Sequence, residues 1–314
     1  MAVAGDLMLG RRVGQRLTQA GDPAAVLRPT ARRLARADIT VGNLENTLSR
    51  LGSPTQGGDS FGASPRVRAG LRLAGFDVLS LANNHLGDYG SRSLVETVRL
   101  VREGGFVPVG AGANVAEAWR PAIVEREGVT FGFLAFNAIG ETPRAGPDSP
   151  GAASVAMAPR TGPLSAADLA RAKSAVRTLR REVDVVVVLP HWGDQYTHRP
   201  VPDQRRVGRA LIDAGADLVV GGHPHWVQTA ELHRGRPLVH SLGNFVFDMD
   251  WNSEVREGVV LEATFAGARL VSARFVPYVI GSDFAPRWVS GGRARAILAD
   301  LGPGAARMRG PLAP

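Results

Sequence analysis

The stretch VDVVVVLPHWGDQ, residues 183–195, runs from a nearly continuous apolar segment straight into a polar cluster. Residues 183–189 lack the apolar/polar alternation of a half-exposed strand, so they read as a strand buried on both faces, as in sheets covered by helices on either side. Residues 217–220 repeat the arrangement and lead into GGHPHWVQ, residues 221–228. Working outward, residues 38–41, 77–81 and 106–109 read as further short strands, each followed after a loop by helix-like sequence. The spacing predicts helices over 24–36, 65–74, 91–103, 165–181 and 203–214, several opened by Pro, Ser or Asp. Residues 120–127 and 129–136 flank Gly128 and predict a hairpin. Residues 227–233, 237–240, 258–265 and 270–279 predict successive strands ending the sheet in antiparallel pairs. The expectation is one α/β domain over 1–302 and a flexible, Gly/Pro-rich tail over 303–314.

Composition narrows the chemistry. With 44% hydrophobic and 21% charged residues there is ample material for a core. There is no cysteine, so disulfides, thiolate zinc sites and a cysteine nucleophile are excluded, and any metal must be held by His, Asp, Glu or Asn. The net charge of +8 comes from arginines spread along the chain, with Lys173 the only lysine, which argues against a nucleic-acid patch. No run nears the roughly 18 apolar residues a membrane span needs, and no signal-peptide series opens the sequence. The expectation is a soluble cytoplasmic protein, although Met1 lies so close to the first motif that an upstream anchor could be missing.

Polar clusters fall where buried strands give way to loops: GDLMLG (5–10), NLEN (43–46), LANNHLGDYG (81–90), PHWGDQ (190–195), GGHPHWVQ (221–228) and SLGNFVFD (241–248). In open α/β sheets these carboxyl ends are where ligands bind, so the six loops can converge on one site. Singly, each has a plainer reading. Asp6 could be a turn residue; Asn83, Asn84 and His85 could cap the helix near Ser91; His191 could be a satisfied core histidine. His223 and His225, one residue apart on a Gly/Pro-constrained loop, suit metal ligation better. Together the groups suffice for two divalent ions of the Mn, Fe or Zn type, with His85 available as a general acid and Asp88 near enough to orient it. Residues 52–62 and 140–163 are long loops beside these candidates.

The order Asp, acidic residue, Asn-His, His, His-x-His resembles the motif series of calcineurin-like metallophosphoesterases, and the spellings quoted above resemble the CapA family, over residues 5–248. The resemblance implies a four-layer α/β/β/α sandwich with metals at the edge of two sheets. It implies that Asp6 and His225 bind a first metal, that Glu45 bridges, and that Asn84, His191 and His223 bind a second. His85 matches the catalytic histidine. The first motif departs from the pattern, carrying Met8 where a histidine is usual, and Asn46 can compensate as a ligand. Asn43, Asn244 and Asp248 are expected to position substrate or brace the site, with bracing favoured for the last two. The function implied is hydrolysis of a phosphoester in a small or polymeric anionic substrate. The alternative is a part in poly-γ-glutamate or related polymer assembly without phosphoester hydrolysis.

Overall fold

The computed structural model describes residues 1–308. Two sheets pack face to face. The first runs in the order Pro286–Trp288, Arg269–Ile280, Glu257–Ala266, Ala2–Leu7, Thr40–Leu44, Val78–Ser80, Val107–Val109, and Asn244–Val246 pairs with the far end of Ala2–Leu7. Its last four strands are parallel, whereas the first three are joined antiparallel. The second sheet runs Ala230–His233, Arg236–Val239, Leu218–Val220, Val185–His191, Val129–Asn137, Ala122–Arg126.

The apolar run at 185–189 shows why two faces had to be buried. Val185, Val187 and Leu189 enter the core between the sheets, where they meet residues such as Val41, Val78, Phe133 and Leu261. Val186 and Val188 point the other way, to Val176, Val207 and Leu211 of the helices Ala166–Leu179 and Pro202–Asp213. Each valine so buried contributes about 1.5–3 kcal/mol before entropy is counted. On the outer face of the first sheet, Leu7, Leu44, Leu79 and Phe245 pack with Val13, Leu34, Leu71 and Leu94 of the helices Arg11–Gln19, Arg28–Leu34, Arg68–Leu73 and Ser91–Glu103. The result is the four-layer α/β/β/α sandwich of the metallophosphoesterase type.

Three sequence expectations change. The strands of the last third do not end one sheet: residues 230–239 close the second, while residues 257–288 extend the first. The helix Arg11–Gln19 has no counterpart among the expected helices, having only Val13 and Leu17 as buried anchors and no side-chain cap. The tail expected to fray from 303 is a helix at Gly302–Met308, with Ala305 and Met308 buried against the inter-sheet core. Glycine is required there because a Cβ on Gly304 would collide with the Ala230 carbonyl. Residues 309–314 of that tail lie outside the described residues.

Candidate metal centre

All six polar loops meet at one edge of the sandwich. Asp6 lies near the end of its strand, Glu45 directly after Thr40–Leu44, and His191 at the end of Val185–His191. His223 and His225 follow Leu218–Val220 and carry φ of 95° and 60°, in the left-handed region that favours glycine. Such backbone costs about 1–3 kcal/mol per residue and persists only where surroundings fix it. Here the fixing groups are Asp6, whose Oδ2 accepts from His223 N at 3.0 Å, and Asn244, whose Oδ1 lies 2.8 Å from His225 Nδ1. Gly222 must lack a side chain, since a Cβ would sit 2.5 Å from Asp6 Oδ1.

The donor atoms form two overlapping clusters. Those of Asp6, Glu45 and His225 lie within 4.8 Å of one another, as do those of Glu45, His191 and His223. Glu45 is common to both. Asn84 joins the second, its Oδ1 2.8 Å from His191 Nε2. Asn43 spans the pair, its Nδ2 lying 2.8 Å from Asp6 Oδ1, 3.3 Å from Glu45 Oε2 and 3.2 Å from His191 Nδ1. Asn83 holds Asn43 in turn, donating to its Oδ1 at 3.0 Å.

The residues fit divalent ions on a direct structural test. Glu45 Oε1 and both ring nitrogens of His223 are buried without a hydrogen-bond partner, a costly state that a cation would relieve. The electrostatics agree. Burial pushes the Asp6 carboxyl up to about 6 and Glu45 well above its usual range, with Asp6 nearby adding to the Glu45 shift. Burial also lowers His191 and His223 well below the ordinary imidazole range and His225 to about 4. Neutral imidazoles beside carboxyls starved of counter-charge are what a cation needs.

A pH dependence follows. Asp6 is raised from 3.8 to about 6, so without metal its proton-linked stability is present below about pH 4 and lost as pH rises through 6. Metal binding requires the deprotonated form, so affinity should tighten as pH rises towards and past 6, by about tenfold per unit for each proton released. The histidines, already neutral, should not compete until near pH 4. Dissociation constants measured from pH 5 to 8 check this; a flat profile would remove Asp6 from the ligand set.

His85 stands beside these clusters. Its Nδ1 lies 2.8 Å from Asp88 Oδ2, which can only accept, so Nε2 is the nitrogen left for a substrate. Asp88 is fixed by Phe61 N and Gln56 Nε2, each donating at 2.6 Å. The Phe61 ring stacks on His85 at 3.6 Å between centroids, and Arg11 Cζ is 4.8 Å from the same ring. Asp248 accepts from Arg11 Nη2 at 2.7 Å and from Arg12 N at 3.1 Å, so it braces the start of the helix Arg11–Gln19. Asn244 braces His225 and donates to Val255 O at 3.0 Å.

Asn46 takes a different partner from the one expected. Its Oδ1, the atom that would face an ion, accepts from Leu9 N at 3.0 Å. Met8 is fully buried in the helix-side core. Asn46→Ala should therefore keep the parent's metal content and cost about 1–3 kcal/mol in stability, because Leu9 N–H is left buried without an acceptor. Elemental analysis beside thermal melts decides it; selective loss of one metal would return Asn46 to the ligand set.

Sequence reasoning missed Phe61, Gln56, Arg11, Glu141, Arg160 and Tyr196. Glu141 Oε2 accepts from Asn84 Nδ2 at 2.7 Å, Arg160 pairs with Glu141 at 2.8 Å, and Tyr196 stacks on His225 at 5.8 Å. For Gln56, Phe61, Glu141 and Arg160 the signal available was that 52–62 and 140–163 are long loops adjoining the motifs, which marks the segment without marking the residue; Arg11 and Tyr196 directly follow the motifs at 5–10 and 190–195.

The family profile described as bacterial capsule synthesis protein PGA_cap matches residues 1–249. The capsule biosynthesis protein CapA of Bacillus anthracis is 32% identical over 258 residues, which is 80% of this chain and 60% of that protein. The PGA biosynthesis protein CapA of Bacillus subtilis (strain 168) is 30% identical over 251 residues, 79% of this chain and 63% of that one. The chain thus spans rather less than two thirds of either relative. A hypothetical protein from Thermus thermophilus, with a TM-score of 0.53, 16% identity and coverage of 89% of this chain and 99% of that one, shares the fold. The match over residues 1–249, together with these relatives, means that the chain belongs to the bacterial capsule synthesis (PGA_cap, or CapA) family of calcineurin-like phosphoesterase fold.

Proposed function

We propose that this chain is a two-metal hydrolase of a phosphoester in an anionic substrate. The observation that carries the reading is Glu45, a buried carboxylate common to two ligand clusters, with one oxygen that no donor satisfies. Asp6, Glu45 and His225 would hold one ion; Glu45, Asn84, His191 and His223 would hold the other. Bound there, two divalent ions would supply an activated water and neutralise charge on the reacting group. The first cluster has one ligand fewer, Met8 standing where a further donor would be, so the two ions should bind with unequal affinity. His85, its tautomer set by Asp88, donates the proton to the departing oxygen. Arg11, beside the Phe61 ring that stacks on His85, and Arg160, paired with Glu141, offer guanidinium N–H groups to the anionic oxygens of a substrate.

The test loads purified protein with Mn, Fe or Zn, counts the metal and assays a generic phosphodiester. One or two equivalents with metal-dependent turnover support the reading. No uptake of any of the ions sinks it.

A second reading rests on the relatives' names, which place them in capsule and poly-γ-glutamate synthesis. In it the same site binds a growing polymer or an acyl-phosphate or amide-forming intermediate. Protein that takes up metal, hydrolyses no phosphoester and binds poly-γ-glutamate only when metal-loaded would favour it.

A further inference from the structure

The segment 140–163 sets a carboxylate against Asn84, behind the second ligand cluster, that none of the ligand or proton-transfer roles above requires. Its start is tied to the ligand-bearing elements. Ala138 N donates to His191 O at 2.8 Å, Asn137 Nδ2 to Gly140 O at 2.9 Å, and Gly87 N to Thr142 Oγ1 at 2.9 Å. Within this clamp Glu141 has φ of 62°, directly after Gly140 at 90°. A non-glycine residue stays in that region only where its surroundings over-determine it, and such positions cluster at functional sites. The backbone here delivers one carboxylate: Oε2 accepts from Asn84 Nδ2 at 2.7 Å and Oε1 from Arg160 Nη2 at 2.8 Å. At the other end of the same amide, Asn84 Oδ1 lies 2.8 Å from His191 Nε2.

The two ends of an asparagine amide are nearly identical in shape, so hydrogen-bond chemistry decides which faces inward. A carboxylate has only acceptor lone pairs. It draws the NH₂ end outward and leaves the oxygen for the site, whereas the opposite orientation would aim two N–H groups at a cation. We propose that Glu141 is a positioning residue, held by Arg160, that fixes Asn84 with its ligating oxygen turned into the second metal cluster. This rests on the metal-site reading above and adds to it a residue that touches none of the ions.

Glu141→Gln and Glu141→Met separate the role from mere packing, since both keep the chain length and only Gln keeps an acceptor oxygen. Manganese content is measured by elemental analysis and each dissociation constant by competition with a chelating dye. Glu141→Met should weaken one equivalent by about 10–100-fold and leave the other at its parent value, the usual effect of removing a group that orients a ligand. Glu141→Gln should fall between the parent and Met, because its oxygen can still accept from Asn84 Nδ2 while its own amide no longer excludes the reversed orientation. In an Asn84→Ala background the Gln–Met difference should vanish. Equal affinities for Gln and Met overturn the proposal, as does a loss that persists undiminished without Asn84. Melting temperatures of the metal-free variants accompany the titrations. If Met lowers stability, the Asn84→Ala background still decides, because a folding defect would persist there. A parent that binds no divalent ion sinks the metal reading and this proposal together; a parent that binds while the variants stay indifferent sinks the proposal alone.

Discussion

Glu45→Gln should remove both metal equivalents at once while making the metal-free protein more stable. Glu45 is the one residue common to both clusters, and a glutamine cannot supply the bridging charge. Without metal, Asp6 and Glu45 are two neighbouring buried acids, each raised by desolvation, and Asp6 further raises Glu45. They therefore titrate as a pair, and at neutral pH the fold bears their unrelieved cost. The amide introduced by the substitution carries no charge and donates to Asp6, so the metal-free melting temperature should rise. The parent should gain about 2.7 kcal/mol per site when free ion stands at 100 times its dissociation constant, a gain the variant forfeits. Thermal melts with and without Mn²⁺, beside elemental analysis, measure both effects. His225→Ala and His191→Ala should each cost a single equivalent, the first from the weaker site. Retention of either equivalent at parent affinity in Glu45→Gln would mean that the clusters are independent and that Glu45 does not bridge.

What could be read from sequence divides along a physical line. Ser91–Glu103 matches its expected bounds because glycines at 90 and 104 bracket a run with buried residues at 94, 97, 98 and 101. The meeting of Asp6, Glu45, His191, His223 and His225 at one edge follows from their places at or just beyond the carboxyl ends of strands, which the apolar run of a buried strand announces. Arg11–Gln19 had too few apolar positions to show a period, and Gly302–Met308 was hidden by a composition that ordinarily marks turns. Asn46 has the right residue type at the right spacing, yet Leu9 N, 37 residues away in sequence, claims its oxygen. Asp88 lies three residues from His85 and within reach of a local pattern, but the remaining contacts do not: Phe61 on His85, Gln56 on Asp88 and Glu141 on Asn84 arrive on loops whose course is set by long-range contacts. Donor identity is local information, whereas donor orientation is tertiary.

That distinction sets the expected behaviour of His85. It adjoins Asn84 in sequence, yet the two side chains have separate partners: Asn84 turns to His191 and Glu141, His85 to Asp88 and Phe61. Among the described residues, His85 belongs to neither cluster of carboxylate and imidazole donors. His85→Gln should therefore keep the full metal content. It should nevertheless remove chemistry, because with Nδ1 held by Asp88 the free Nε2 is the group placed to pass a proton to the departing oxygen. A positioned acid is worth about 10²–10⁴-fold, so turnover of an unactivated phosphodiester should fall by that factor. With a nitroaryl ester the drop should shrink, since such an oxygen leaves as the anion and hardly needs the proton. Asp88→Asn should reproduce part of the loss, because an amide can hold the ring in either tautomer and no longer selects Nδ1–H. The comparison across leaving groups carries the assignment: an equal loss for both esters would mean that His85 binds substrate without donating to it, and loss of metal in His85→Gln would make it a ligand.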